Sequence, residues 1–176
     1  MERIEMITKK IEDALNGQLN AEFYSAYLYL SMAGYFESIN LKGFSNWMRV
    51  QFLEEQFHTM KLYDYIYERG GKVMLRSVEA PPSDWDGAVA VFEATLEHEQ
   101  KVTGMINELV YLARDEKDNA SELFLQWYVN EQVEEEDNVN TVLGQLRLIK
   151  DSPQGMFILD KEMAQRVFTP PVAKGE

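Results

Sequence analysis

Glu22, Glu55, His58, Glu99, Gln132 and Glu135 are the side chains in this sequence best placed to do chemistry, and their spacing is regular. Glu22 and Glu55 stand 33 residues apart, as do Glu99 and Gln132, and His58 or Glu135 follows three residues later. Each half of the chain therefore offers one group and then an i, i+3 pair, a spacing that shares one helix face. Their neighbours on that face are apolar, so these groups replace core residues. An unpaired buried carboxylate costs on the order of several kcal/mol even after relaxation. A layer of them is untenable unless protons or cations neutralise it. Glutamate with imidazole suits iron, manganese or zinc. This many carboxylates with a single imidazole favours a pair of iron or manganese ions over zinc, which takes four ligands including nitrogen or sulfur. Glu55 is expected to bridge, because Gln132 at the matching position is neutral. One ion would then take Glu22, Glu55 and His58, and the other Glu55, Glu99 and Glu135 in a weaker shell.

Such a layer needs four helices to hold it. Apolar residues recur at steps of three or four along Ile4 to Phe36, Phe44 to Tyr65, Ala88 to Ala113 and Phe124 to Ile149, the helical period. Short polar links at 38–43 and 115–121 make each pair antiparallel. Gly70-Gly71 stops the second helix. Residues 72–86, with Pro81-Pro82, then lead to a third helix that Ser83 or Asp86 is placed to cap. A helix of about 28 residues is roughly 42 Å long. Fifteen extended residues reach roughly 50 Å, so the link spans the bundle and starts the third helix parallel to the second. The expected fold is all-α: a four-helix bundle with one long crossover and a short fifth C-terminal helix at 155–167. The domain is expected over 1–168, with 169–176 as a flexible tail. The two hairpins would be related by a pseudo-two-fold axis through the polar layer.

The bulk composition excludes several functions. The 176 residues carry a net charge of −13 and no cysteine. Disulfides, iron–sulfur clusters and cysteine nucleophiles are thereby excluded, and a basic nucleic-acid surface is not expected. The excess acid serves solubility or attracts cations, and composition alone favours solubility. No run approaches the roughly 18 apolar residues of a membrane span, and the N-terminus lacks a secretory signal. A soluble cytoplasmic protein is the expectation.

Individual residues carry plainer readings too. A Glu-x-x-His pair by itself usually marks a solvated helix face, and only the matched spacing on four helices lifts it above that. Tyr29, two turns after Glu22, is within reach of a ligand or able to lend an electron, although a core aromatic is the commoner meaning. His98 beside Glu99 is assigned to the surface or to a place behind the ligands.

The segments 19–29, Glu54-Glu55-Gln56-Phe57-His58, His98-Glu99 and Trp127-Tyr128-Val129-Asn130-Glu131-Gln132-Val133-Glu134-Glu135-Glu136 closely resemble those of the bacterial and archaeal non-haem ferritins. Ferritin-like di-iron proteins are the standard instance of this bundle motif. The resemblance implies an iron-storage protein with ferroxidase activity. Its catalytic centre would use Glu22, Glu55, His58, Glu99, Gln132 and Glu135, with Tyr29 in electron transfer. It also implies a third iron site at Glu54, Glu131 and Glu134, sharing Glu135. Fe(II) and O2 or peroxide would be the substrates, and a homo-oligomeric shell of about 24 subunits the assembly. No haem is expected: the haem-binding relatives carry methionine after the bridging glutamate, and Gln56 stands here. They also place Glu-x-x-His on the fourth helix, where this chain has Gln132 and Glu135.

Two rivals remain. An oxidase acting on an organic substrate would need an open pocket beside the metals, and Tyr24, Tyr29, Phe57 and Trp127 are expected to fill that space. A metal-free structural oligomer would need apolar residues where this chain has acids.

Overall fold

The computed structural model describes residues 7–170 as five helices, with no strand among the described residues. They are α1 (Lys9–Ser38), α2 (Lys42–Glu68), α3 (Gly87–Asp115), α4 (Asn119–Ile149) and α5 (Pro153–Met163). α1 pairs with α2 and α3 with α4 as hairpins, and α1 also lies against α3. α2 and α4 meet mainly through long side chains, as where the Tyr128 hydroxyl donates to the His58 carbonyl at 2.7 Å.

Local chemistry sets the ends. The first helix starts later than its apolar stripe, because Thr8 accepts a hydrogen bond from the Ile11 amide and fixes the N-terminus at Lys9. Ile7 precedes the helix and Ile4 lies outside the described residues. Asp118 and Ser152 cap α4 and α5 in the same way. Asp86 sits at the start of α3 without a side-chain cap bond. Gly70 ends α2 at φ 77°, as its position suggested, and Lys117 and Lys150 adopt positive φ after α3 and α4.

α2 has no local cap. Asp160 of α5 supplies one, its Oδ1 accepting the amides of Gly43 at 2.8 Å and Phe44 at 3.1 Å. A carboxylate at a helix N-terminus also meets the positive end of the dipole. Gly43 is required there, since a Cβ would sit 1.6 Å from the Asp160 carbonyl oxygen. The fifth helix runs 153–163 rather than 155–167. Pro153 opens it behind the Ser152 cap, and the chain after Met163 turns back across α2.

The crossover follows α1 along its length. Asn16 donates to the Lys72 carbonyl at 2.9 Å and accepts from the Met74 amide at 2.6 Å. Asn20 does the same one turn on, with the Met74 carbonyl and the Arg76 amide. Further on, Ser31 donates to the Pro82 carbonyl and the Tyr35 hydroxyl accepts from the Gly87 amide. The link is thus an extended strap fastened from near the start of α1 to near its end. α3 consequently runs parallel to α2.

Two apolar clusters fill the bundle. One contains Phe36, Phe44, Phe92 and Leu146; the other contains Leu15, Leu62, Ile106 and Tyr128. The polar layer of Glu22, Glu55, Glu99 and Glu135 falls between them on all four helices. Among the described residues, no helix is long and apolar enough to cross a membrane.

Candidate metal centre

All six expected groups are buried, between 1% and 4% exposed. Glu22 Oε2 lies 3.9 Å and Glu55 Oε2 3.5 Å from His58 Nδ1. Ligand atoms of these three residues all lie within 4.8 Å of one another. Glu55 Oε2 has no hydrogen-bond partner. An orphaned buried carboxylate oxygen is costly, and a cation beside it removes that cost. The donor set of two carboxylates and an imidazole suits a hard or borderline divalent ion.

The second expected set is arranged differently. Glu99 accepts from the Tyr29 hydroxyl and, at 3.0 Å, from Gln132 Nε2. Glu135 Oε2 accepts from Gln51 Nε2 at 2.8 Å. The other compact ligand set among the described residues is His58, Glu131 and Glu135, not Glu55, Glu99 and Glu135. Both carboxylates are engaged by the hydrogen-bond donors beside them.

Burial first, and charge crowding second, push three of these carboxyls toward their neutral, protonated form. Burial above all, then Glu55, holds Glu22 well above the usual carboxylate range. Burial and then Glu99 do the same to Glu55. Glu99 is pushed up to about 8 by burial and by Glu135. Without cations, protons neutralise much of the layer.

Glu54, His58, Glu131 and Glu134 share a cavity of about 190 Å³ at the rim of this layer. Burial pushes Glu54 up to about 7, opposed by Arg166, which pairs with it at 2.7 Å. His58 Nε2 lies 3.9 Å from Glu131 Oε2, so the histidine faces both the buried triad and this cavity.

Residues 12–149 match the ferritin-like domain family. The chain belongs to the ferritin family. The bacterial non-heme ferritin of Staphylococcus aureus (strain USA300) is 37% identical over 163 residues, covering 93% of this chain and 98% of the relative. That of Bacteroides fragilis (strain 638R) is 38% identical over 161 residues, covering 92% and 100%. Two solved structures are of ferritin from Archaeoglobus fulgidus. One, engineered to a closed form, is 57% identical with TM-score 0.92, over 93% of this chain and 99% of that one. The other, described as a novel open pore ferritin, is 55% identical with TM-score 0.91, over 93% and 100%.

Relative to this ferritin-type bundle, sequence reasoning missed three residues. Gln18 donates to Glu22 Oε1 at 2.7 Å and Gln51 holds Glu135. Both lie four residues before a candidate ligand and interrupt an apolar stripe, and that signal was available. Arg166, 112 residues from Glu54, gave none. His98 is half-buried and bonds Ser25 Oγ at 2.7 Å, with burial and then Lys101 pushing it down to about 4.

The aromatic packing is only partly as expected. Tyr29 is sealed in, Trp127 packs edge-on against His58, and Phe57 packs against Trp127 in turn. Tyr24 instead lines a groove with His98 and Lys101. A cavity of about 370 Å³ opens beside Gln132, lined also by Thr103, Asn107 and Glu136.

Proposed function

We propose that this chain is an iron-storage subunit that oxidises Fe(II) in its polar layer and passes the ferric product to a mineral inside a homo-oligomeric shell. The observation that carries this reading is the buried Glu22, Glu55 and His58 set with its orphaned Glu55 oxygen. Fe(II) is here both substrate and cargo. The ferroxidase centre uses Glu22, Glu55, His58, Glu99, Gln132 and Glu135, with Glu55 as the bridge. The second ion enters by displacing hydrogen bonds from Tyr29 and Gln51. It is therefore held more weakly, which favours turnover over retention.

Two Fe(II) each give one electron to O2, which leaves as hydrogen peroxide after gaining two protons; peroxide can itself serve as oxidant. Hydrolysis of the ferric pair releases protons as the hydrated oxide forms. Tyr29 orients Glu99 and is placed to lend an electron. Glu54, Glu131 and Glu134, sharing Glu135, form a third site on the way out. The family analogy supports a shell of roughly 24 subunits, working in the cytoplasm.

Glu55→Ala tests the bridge. Initial Fe(II) oxidation should fall by about tenfold or more, on the scale of losses at metal sites, with helix content retained by circular dichroism. An unchanged initial rate in a folded variant rejects Glu55 as the bridge.

A further inference from the structure

After α5 the chain folds back over α2, and specific contacts fix it there. Asn46 Nδ2 donates to the Arg166 carbonyl at 2.9 Å and to the Met163 carbonyl at 3.3 Å. The Arg166 guanidinium lies 4.2 Å over the Trp47 ring, a stacking that suits a delocalised cation. Its Nη2 donates to Glu54 Oε2 at 2.7 Å. Phe168 packs on Phe57 at 6.5 Å between ring centres. Phe168 and Thr169 then wall the cavity that Glu54, His58, Glu131 and Glu134 share. Most ion pairs elsewhere on the molecule lie at its surface, but Arg166 and Glu54 are largely covered, their side chains 19% and 24% exposed.

We propose that Arg166 is a positioning residue of the third site: a built-in cation that holds Glu54 and competes with the metal there. The inference rests on the three-site reading and adds what limits the third site's occupancy. A carboxylate paired to a stacked guanidinium offers a metal less charge, and the guanidinium repels an incoming dication. Iron therefore passes the third site rather than filling it. Each arriving cation must displace Arg166, which re-forms its pair once the iron has moved on. The stacking on Trp47 and the clamp by Asn46 keep the guanidinium close enough to return. Arg166 has no hydrogen bond or ion pair with Glu22, Glu55 or His58, so it acts through Glu54.

Anaerobic equilibrium dialysis of the full-length, metal-free assembly against Zn(II) tests this without oxidation chemistry. The original protein should hold about two Zn(II) per subunit tightly and a further one weakly. Arg166→Gln should tighten the further site by about tenfold or more, as removal of a like charge implies. Arg166→Lys keeps the charge but loses the guanidinium stack, so it should fall between the original protein and Arg166→Gln. Arg166→Met, whose stem can still lie on Trp47, repeats the test if the glutamine variant folds poorly. Glu54→Gln should abolish the further site in either background. Original-like binding by both charge-deleted variants, with Glu54→Gln still losing the site, overturns the role of Arg166 and leaves the third site standing. Tightening in Arg166→Lys equal to that in Arg166→Gln also overturns it. No effect of Glu54→Gln rejects the third site itself.

Discussion

Glu99 shows how the polar layer behaves as pH changes. It keeps its proton to about 8 in the folded chain, against a usual value of 4.5. A carboxyl raised in this way stabilises the metal-free fold fully below its unfolded value. It loses that contribution as pH rises through the folded one. Glu22 and Glu55 shift in the same direction. The melting temperature of metal-free protein should therefore fall as pH rises from about 4.5 to 8, and Zn(II) should reverse the fall by replacing the protons. Glu99→Gln mimics the protonated acid and should flatten the profile. A profile that the substitution leaves unchanged would contradict the assignment. The candidate ligands were legible because each breaks an apolar stripe, and glutamate there demands neutralisation. Gln18 and Gln51 broke the same stripes, but a buried amide is less costly than a buried acid and drew no inference. The hydrogen bonds of Glu99 to Tyr29 and of Glu135 to Gln51 depend on side-chain rotamers, which residue spacing does not encode.

The helices were legible from their period, and the topology from link lengths, since two links were short and the fifteen-residue one was long enough to span the bundle. What holds that link was not legible. Asn16 and Asn20 face the strap one turn apart, and their role appears only when the crossover backbone lies beside them. The docking of α5 was equally hidden, because Asp160 and Gly43 are 117 residues apart. Asp160→Ala should cost about 1–2 kcal/mol, the usual loss of a helix cap. The loss should appear as faster amide hydrogen exchange in α5 and the first turn of α2, with α3 and α4 unaffected. Gly43→Ala should loosen α5 more, because its Cβ meets backbone rather than a side chain that can rotate. Unchanged exchange in both variants would mean that α5 is held by other contacts. This docking matters for the site because α5 sets where the returning segment, with Arg166, crosses α2.

The whole molecule presents apolar residues that a lone subunit would leave in water. Leu148 and Leu123 on α4 are 84% and 75% exposed and Ile158 on α5 67%, while Val167 at 77% and Leu75 at 66% lie outside the helices. Their burial between subunits fits the proposed shell. The net charge of −13 is compatible with the proposed traffic of cations as well as with solubility. Neither the shell's symmetry nor its channels could be read from periodicity, because both depend on contacts between copies. Storage needs oxidation and enclosure together, so the most direct measurement is aerobic addition of Fe(II) to metal-free protein. The iron is added well beyond about two per subunit. Near-ultraviolet absorbance follows the oxidation, and size-exclusion chromatography then locates the iron. Rapid oxidation that continues past the dinuclear stoichiometry, with the iron travelling in a large soluble particle, is the predicted result. Oxidation that stops at about two irons on a small oligomer, or runs no faster than in buffer, would contradict the proposed storage function.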